Sequence, residues 1–346
     1  MNLLRIGVLG TGFMAKTHCE GWSTVKGAKV TGLCSLSGRG LDGKFSHVAG
    51  NLGDGSYALP MDGVTTTNKW EELVGGDFDV IDICLPTNLH RPVLLETLLA
   101  GKHVVCEKPL AAKRDDAIIM SRAAQKAKSF SMAAHCMLFW PGWAEVATWI
   151  RAGLFGKVIN VHFKRVGPPP GWSPEFLNGE HTGGALTDLG IHDYVLALDM
   201  FGKPESVFAR GINVVSSDGA LDDVDALLFY KNGPTVLIET SWARNAELGF
   251  EARFEIRCER ANITGGFKDG LQIHGAPTPD MPCPLLLGQG TGWSNQLHYF
   301  ANCVRDNSAP AVATLSDALR ALEVIEAVKL SAKDGQVRAV EYYQSN

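Results

Sequence analysis

Residues 3–15 have the sequence LLRIGVLGTGFMA, a short apolar run that ends in two closely spaced glycines and a small alanine. The run is rich in strand-forming residues and too short for a helix, whereas residues 15–22 can form one. This strand–turn–helix context is typical of a G-x-G-x-x-G/A dinucleotide-binding loop. Gly10 would allow the turn, and Gly12 would let the backbone approach a pyrophosphate at the positive end of the helix. The predicted cofactor contacts here are Gly10, Thr11, Gly12, Phe13 and Met14.

Length and composition indicate an ordinary globular protein with two domains. The chain has 346 residues, 45% of them apolar, and a formal charge of −5 at pH 7. This length exceeds what one hydrophobic core usually supports. The net negative charge, without a long Lys/Arg run, argues against nucleic acid as a partner. We expect neither a signal peptide nor a membrane span. The eight cysteines include no C-x-x-C pair, so we expect a cytoplasmic protein with reduced thiols and no metal.

The exit from the second predicted strand, residues 29–34, bears on the choice between two cofactors. A site for NAD usually has an acidic residue there, which accepts hydrogen bonds from the ribose 2′-hydroxyl. This chain has Ser35, Ser37 and Arg39 instead, with no carboxylate before Asp42. Two hydroxyls and a guanidinium suit a 2′-phosphate, so the sequence favours NADP over NAD. Alternatively, Arg39 is simply solvated at the start of a helix.

Strands and helices alternate through the first 125 residues. Two apolar strands, at residues 78–85 and 103–106, are each followed by polar residues, Pro86-Thr87-Asn88-Leu89-His90 and Glu107-Lys108-Pro109. The alternation predicts an α/β fold with a parallel, doubly wound sheet, which binds ligands at the carboxyl ends of its strands. This position makes Lys108 a catalytic candidate beside the nicotinamide, although such a lysine is as often only solvated.

From residue 126 the character of the chain changes. Strand-like segments follow one another with few helices between them, at residues 158–165, 207–214, 225–230, 236–242 and 254–258. The pattern predicts an α+β domain whose mostly antiparallel sheet leaves an open face for oligomerisation. We therefore divide the chain into a dinucleotide-binding domain, residues 1–125, and a substrate-binding and oligomerisation domain, residues 126–346.

A glycine-rich segment of the second domain carries two residues suited to acid–base chemistry. Asp188 and His192 are four residues apart, so they share one face if the segment is helical. A carboxylate beside an imidazole fixes its tautomer and raises its basicity, which suits proton exchange with a hydroxyl or carbonyl. On spacing alone, a helix-entry Asp and a buried structural His is the commoner interpretation. A metal site completed by another histidine is a weaker alternative.

Three motifs in this order resemble the glucose–fructose oxidoreductase, inositol dehydrogenase and rhizopine-catabolism family, abbreviated Gfo/Idh/MocA. They are Gly10-Thr11-Gly12-Phe13-Met14-Ala15, Glu107-Lys108-Pro109, and Gly183-Gly184-Ala185 with Asp188 and His192. Pro86-Thr87-Asn88 with His90, and a late helix ending Cys303-Val304-Arg305-Asp306, are similar to further family segments. The resemblance covers nearly the whole chain. It implies a Rossmann domain, a second domain that builds the substrate site and commonly the oligomer interface, and hydride transfer to or from a sugar, polyol or related alcohol.

The resemblance also implies a role for matching residues. Lys108 would hydrogen-bond the reacting oxygen, His192 would be the acid–base residue, and Asp188 would orient it. Trp172 could form an apolar wall for a sugar ring, or simply pack under its proline-rich loop. The candidate substrate contacts are Lys108, Arg165, Trp172, Asn178, His181, Asp188 and His192. The remaining candidate cofactor contacts are Ser35, Ser37, Arg39, Leu85, Pro86, Thr87, Asn88, His90, Glu107 and Lys108.

Two departures from the family pattern concern the substrate more than the reaction. Many relatives carry Asp three residues after the catalytic His, where this chain has Val195. Many also carry Arg directly before a Phe in the segment that follows His135, where this chain has Leu138 before Phe139.

Two other functions stay open beside a sugar or polyol dehydrogenase acting as a homodimer or homotetramer. One is a glycosidase that keeps NAD bound and cleaves by transient oxidation and elimination. The other is a regulator that senses a dinucleotide without catalysis, against which the retained Lys108, Asp188 and His192 argue.

Overall fold

The structure is a computed structural model, and it describes residues 3–45, 48, 50, 57–171, 174–278 and 288–344. The chain divides into two compact units. The first contains Met1–Ala111, Asp115–Phe139 and Gly290–Leu319, and the second contains Ala112–Arg114, Trp140–Gln289 and Arg320–Asn346. Among the described helices, none combines the length and the apolar character that crossing a bilayer requires.

Six parallel strands form the centre of the first unit. They are β1 (Leu4–Leu9), β2 (Ala28–Cys34), β3 (Thr65–Thr67), β4 (Val80–Ile83), β5 (His103–Cys106) and β6 (Ser131–Ala133). Their order in the sheet is β3-β2-β1-β4-β5-β6, and all four residues of β4 are buried, as expected of a sheet covered on both faces. The strand order reverses between β1 and β4, the switch point at which such sheets bind ligands. The predicted parallel sheet is confirmed.

The helices that connect these strands are α1 (Phe13–Thr24), α2 (Trp70–Val74), α3 (Thr87–Leu99) and α4 (Arg114–Lys126). After α4 the chain does not leave the sheet, because β6 pairs with β5, with Val104 opposite Ser131. The first unit therefore continues to Phe139, beyond the predicted boundary at 125/126. A strand of three residues is too short to show a periodicity, which is why the sequence assigned it to the following domain.

Eight strands form the sheet of the second unit. They are β7 (Val158–Val166), β8 (Ser206–Ile212), β9 (Asp223–Phe229), β10 (Thr235–Ser241), β11 (Glu251–Cys258), β12 (Ala261–Gly266), β13 (Gln272–Gly275) and β14 (Arg338–Ala339). Their order is β13-β12-β11-β7-β10-β9-β8-β14. β7 and β10 pair in parallel, and the other neighbouring strands in this order pair antiparallel. The predicted, mostly antiparallel second sheet is confirmed.

The two faces of this sheet differ. The other α-helices in the described residues are α5 (Trp143–Arg151), α6 (Gly179–Thr182), α7 (Gly184–Asp188), α8 (Ile191–Phe201), α9 (Gly292–Arg305) and α10 (Leu315–Asp334). Of these, α8 packs against β7 and β10, where Val161 and Phe163 are fully buried. Charged side chains, among them Lys164 and Glu239, line a broad hollow of about 800 Å³ on strands β7 to β10.

The helix α9 belongs to the first unit, although the sequence placed it in the second domain. It packs along α1, where a Cβ at Gly21 would lie 2.8 Å from Leu297 Cδ1, so the two helices approach closely because Gly21 has no side chain. The rings of Phe13 and Trp293 meet edge to face with 6.0 Å between their centroids. Amphipathic periodicity identifies such a helix without telling which partner it covers.

Candidate active site

The glycine-rich loop has the geometry of a phosphate-binding turn. Gly10 has a φ of +119°, and a Cβ there would lie 2.3 Å from the Cys84 carbonyl oxygen, so only glycine fits. Gly12 caps α1 with an extended backbone, and a Cβ on it would meet nothing within 4 Å. No side chain in the described part of the chain caps the first turn of α1. Its N–H groups are thus left for an anion, and these residues fit the pyrophosphate of a dinucleotide.

The polar side chains at the exit from β2 are of two kinds, buried and exposed. The Thr11 hydroxyl donates to the Arg39 carbonyl oxygen at 2.9 Å and lies 3.0 Å from Ser35 Oγ, so Ser35 is the donor in that second contact. Ser35 is buried, while the side chains of Ser37 and Arg39 are exposed. Ser35 therefore holds the loop together, and Ser37 and Arg39 are the groups that a ribose 2′-substituent could reach.

Two carboxylates also lie near this strand end. Burial raises the pKa of the Cys34 thiol to about 11, and the charges of Glu71 and Glu72 add to the effect. Both glutamates are in the first turn of α2. The absence of an acid in the sequence after β2 thus does not make this region free of negative charge, a point that the sequence pattern alone did not show.

His90, a predicted cofactor contact, has a different surrounding. It is buried, with Nε2 2.8 Å from the Leu85 carbonyl oxygen and Nδ1 3.0 Å from the Pro109 carbonyl oxygen. Burial lowers its pKa, so the ring is neutral and its one N–H can donate to only one of the two carbonyl oxygens. The ring lies buried between the end of β4 and the turn after β5, and its contact with the cofactor stays a prediction. Pro86 and Asn88 beside it are exposed.

Lys108 follows β5 at the carboxyl edge of the sheet. Its side chain is half-buried, its peptide bond to Pro109 is cis, and its N–H donates to Glu107 Oε2 at 3.0 Å. The neighbouring His135 is 1% exposed, and neither ring nitrogen has a hydrogen-bond partner among the described residues. Burial, with the charge of Lys108, lowers the pKa of His135 to about 3. The imidazole next to Lys108 is therefore neutral.

A buried polar cluster, which the sequence analysis missed, lies in the same unit. It consists of His18, Asp82, Glu107 and Gln296, all less than 5% exposed. Asp82 lies inside a strand and His18 inside α1, where isolated polar residues gave no pattern to follow. The signal that could have found them is the acidic residue within the apolar strand β4, because a buried carboxylate requires a partner.

In the second unit, Asp188 ends α7 and His192 is the second residue of α8. The backbone at Leu189 and Gly190 stays in the right-handed helical region, so the segment keeps nearly helical geometry between them. A Cβ at Gly190 would lie 2.7 Å from Thr240 Oγ1, so glycine lets this turn approach β10. Asp188 is buried and His192 half-buried, which leaves the imidazole partly accessible.

Arg165, a predicted substrate contact, forms a buried ion pair with Asp193. It is 2% exposed and donates to Asp193 from Nε at 2.9 Å and from Nη2 at 2.8 Å. Its guanidinium carbon also lies 5.8 Å from the centre of the Trp143 ring. The structure thus corrects this role: Arg165 joins β7 to α8 beside His192. The sequence analysis missed Asp193, whose only signal was its place next to the candidate histidine.

The other substrate candidates have mixed outcomes. Trp172 lies outside the described residues. The Asn178 side chain accepts a hydrogen bond from the His181 N–H at 3.3 Å and so caps α6, and His181 Nδ1 pairs with Glu175. Both side chains therefore have local structural partners.

Two family profiles match the chain. The oxidoreductase family with an NAD-binding Rossmann fold matches residues 4–135, and the GFO/IDH/MocA C-terminal domain matches residues 143–264. Among curated proteins, the myo-inositol 2-dehydrogenase of Thermotoga maritima is 25% identical over 342 residues, which cover 96% of this chain and 92% of that protein. The D-apiose dehydrogenase of Paraburkholderia graminis is 26% identical over 344 residues, 95% of this chain and 88% of the relative.

Solved structures share the fold along the whole chain. The WlbA dehydrogenase from Bordetella pertussis, in complex with NADH and UDP-GlcNAcA, superposes with a TM-score of 0.83 at 20% identity, covering 99% of this chain and 100% of that one. A levoglucosan dehydrogenase in complex with NADH and levoglucosan gives 0.82 at 19% identity, covering 98% and 100%. At these identities the likeness concerns the fold.

Proposed function

This chain belongs to the Gfo/Idh/MocA family of NAD-binding oxidoreductases, and from that premise we propose that it is a dehydrogenase of a sugar, polyol or related compound. The main observation behind the proposal is the open turn from Gly10 to Gly12, which fits a dinucleotide. The same chain also has Lys108 after β5, and Asp188 with His192. The curated relatives named above, which act on inositol and apiose by their names, support the substrate class.

The proposed mechanism gives each residue one task. Bound nicotinamide supplies the hydride acceptor for oxidation and the hydride donor for reduction. The Gly10–Gly12 turn and the first turn of α1 would hold the pyrophosphate. Lys108 donates a hydrogen bond to the reacting oxygen, and His192 takes the hydroxyl proton while the carbon loses a hydride and the carbonyl forms. Asp188 keeps the imidazole in the required tautomer.

A panel of sugars, polyols and sugar lactones with NAD and NADP, followed by nicotinamide absorbance, tests this function. The dehydrogenase predicts a net change in absorbance with at least one member of the panel. A redox-elimination glycosidase would release sugar with no net change. A dinucleotide-sensing regulator would bind the cofactor and turn over nothing.

We further propose that NADP(H) is preferred over NAD(H). Ser37 and Arg39 are exposed at the exit from β2, where a guanidinium would bind a 2′-phosphate, whereas Glu71 and Glu72 oppose it. A charge-assisted hydrogen bond contributes roughly 1.5–3 kcal/mol, or about a tenfold to a hundredfold change in affinity. We expect NADPH to bind more tightly than NADH in fluorescence titrations, and Arg39→Ala to narrow the gap.

The matched control is Arg122→Ala, which removes an exposed arginine from α4 of the same protein. It should leave the ratio of the two dissociation constants unchanged. Equal or tighter binding of NADH by the unmodified protein would contradict the preference.

We propose that the open face of the second sheet forms a homo-oligomer. The hollow on it is lined by three cationic and three anionic side chains, Lys164, Arg210, Arg244, Asp223, Asp225 and Glu239. A patch that carries both signs in equal number suits a two-fold interface, in which the same surface meets itself. The homodimer or homotetramer should be visible by sedimentation at micromolar concentration.

Leu237 lies in that hollow, so Leu237→Glu should shift the protein toward the monomer. The control is Leu99→Glu at the end of α3, where the side chain is already 80% exposed. If the unmodified protein sediments as a monomer, the assembly proposal is wrong, whereas the fold is unaffected.

We also propose that the protein works in the cytoplasm with reduced thiols. None of the seven cysteines that the structure describes forms a disulfide, which supports the proposal.

A further inference from the structure

The buried cluster of His18, Asp82, Glu107 and Gln296 joins four separate elements of the first unit. His18 comes from α1, Asp82 from β4 and Gln296 from α9, while Glu107 follows β5. His18, Asp82 and Gln296 are 0% exposed, and Glu107 is 4% exposed. Burying two carboxylates so completely is costly unless a charged partner compensates them. His18 is the one basic residue of the cluster.

His18 is that partner, because both of its ring nitrogens face carboxylates. Nδ1 lies 2.9 Å from each oxygen of Asp82, and Nε2 lies 3.1 Å from Glu107 Oε1. A neutral imidazole has one N–H and could donate to only one of the two acids. Burial alone would lower the pKa of His18, but Asp82 raises it well above its usual value. The ring is therefore an imidazolium that donates on both sides.

Two further contacts fix this arrangement. Trp22 Nε1 donates to Asp82 Oδ2 at 2.7 Å, so this carboxylate oxygen has a second donor besides the imidazole. The Gln296 amide nitrogen lies 3.2 Å from His18 Nε2, and Gln296 Oε1 has no hydrogen-bond partner among the described residues. Turning the amide by 180° would place Oε1 beside Nε2, where it would accept from an imidazolium and gain the partner that it lacks. Glu107 Oε1 has an ion-pair contact with His18 Nε2 but no well-aligned hydrogen bond among the described residues.

A metal ion is the competing explanation, since His18, Asp82 and Cys84 bring one potential ligand atom each to within 4.8 Å of the others. Two ligands of a tetrahedral ion, each about 2.0 Å from the metal, lie about 3.3 Å apart. The separation of 2.9 Å between His18 Nδ1 and Asp82 is shorter and is that of a charge-assisted hydrogen bond. The cluster is therefore described by hydrogen bonds and ion pairs.

The cluster reaches the candidate site through Glu107. One oxygen of this carboxylate faces His18, and the other accepts the Lys108 N–H at 3.0 Å. We propose that His18 is a positioning residue for Lys108: by holding Glu107, it fixes the peptide from which the catalytic ammonium projects. This inference rests on the proposed function, in which Lys108 contacts the reacting oxygen. A displacement of about 1 Å in such a group can cost roughly 10²-fold in rate.

A double-mutant cycle tests the link. The four proteins are the unmodified chain, His18→Gln, Lys108→Met and the double variant, and the readout is kcat for the best member of the substrate panel. We expect His18→Gln to lower kcat by about 10²-fold, with smaller changes in the substrate KM and the cofactor dissociation constant. In the Lys108→Met background, His18→Gln should lower kcat little further, because the effects of substituting residues that act as a unit are not additive.

Glu107→Gln is the second variant, for use if His18→Gln does not fold. It keeps an acceptor for the Lys108 N–H but removes the charge that the imidazolium attracts. The decrease in kcat that it causes should also vanish in the Lys108→Met background. His103→Gln is the control, since His103 is a half-buried histidine of β5 that accepts from the Phe130 N–H at 2.9 Å and lies outside the cluster. It should retain kcat.

The outcomes separate this inference from the proposed function. A strong effect of Lys108→Met with additive losses for the cluster variants would overturn the positioning role and leave the proposed function intact. Full activity of His18→Gln would overturn it in the same way. Full activity of Lys108→Met would refute the catalytic role of Lys108 itself, and the positioning role with it.

Discussion

We expect His192→Ala to lower kcat by about 10²- to 10⁴-fold, the range that general acid–base assistance contributes, which corresponds to roughly 3–5 kcal/mol of barrier. The loss is expected because the imidazole exchanges a proton with the oxygen whose carbon gives or takes the hydride. The cofactor dissociation constant should change little, since the glycine-rich loop belongs to the first unit and His192 to the second. Steady-state kinetics and a cofactor titration measure the two quantities separately.

Asp188→Asn accompanies this test. The neutral amide no longer favours the imidazolium, so the variant should lose less activity than His192→Ala, and alcohol oxidation should persist to lower pH. The control is His274→Ala, an exposed histidine of β13, which should retain kcat. Normal turnover by His192→Ala would show that the assignment is wrong and that His192 is a structural histidine.

Arg165→Met is expected to reduce the free energy of unfolding by about 3–5 kcal/mol, because it leaves the buried carboxylate of Asp193 without its charged partner. Burial already raises the pKa of Asp193 although Arg165 opposes the shift. A carboxyl whose folded-state pKa lies above its unfolded value destabilises the folded state as the pH rises through that range. The loss in Arg165→Met should therefore be larger at about pH 7 than at about pH 4. Urea unfolding at the two pH values measures it.

Two companion variants sharpen this test. The double variant with Arg165→Met and Asp193→Leu should recover much of the stability, because an apolar pair can replace a buried ion pair. Arg253→Met, at a half-exposed arginine of β11, should change the unfolding midpoint little. An unchanged midpoint together with a raised substrate KM in Arg165→Met would restore Arg165 as a substrate contact.

The features that the sequence predicted correctly are those with a local pattern. The glycine-rich loop is recognisable because each glycine has a local reason. Gly10 has a positive φ, and the space beside Gly12 leaves its backbone open to a ligand. The two sheets were predictable from apolar alternation and from the frequency of helices between strands. The position of Lys108 just after β5 was predictable because the end of a parallel strand lies at a known edge of the sheet, while its catalytic role stays a prediction.

The features that it missed depend on contacts between distant segments. Nothing within α9 indicates that Gln296 meets His18, and nothing around Arg165 distinguishes a buried ion pair from a substrate contact. His90 illustrates the same limit, because its two carbonyl partners belong to separate turns. Periodicity reports which face of an element is buried but not which side chain covers it.

The return of α9 to the first unit has a consequence for how the protein is made. Translation proceeds from the N-terminus, so a nascent chain that has released residues 1–139 already contains every strand of the parallel sheet but lacks Gln296 and Leu297. The contacts that α9 makes with His18 and Gly21 therefore cannot form until residue 297 has been synthesised. The dinucleotide-binding unit can thus be completed only after most of the second unit has been translated.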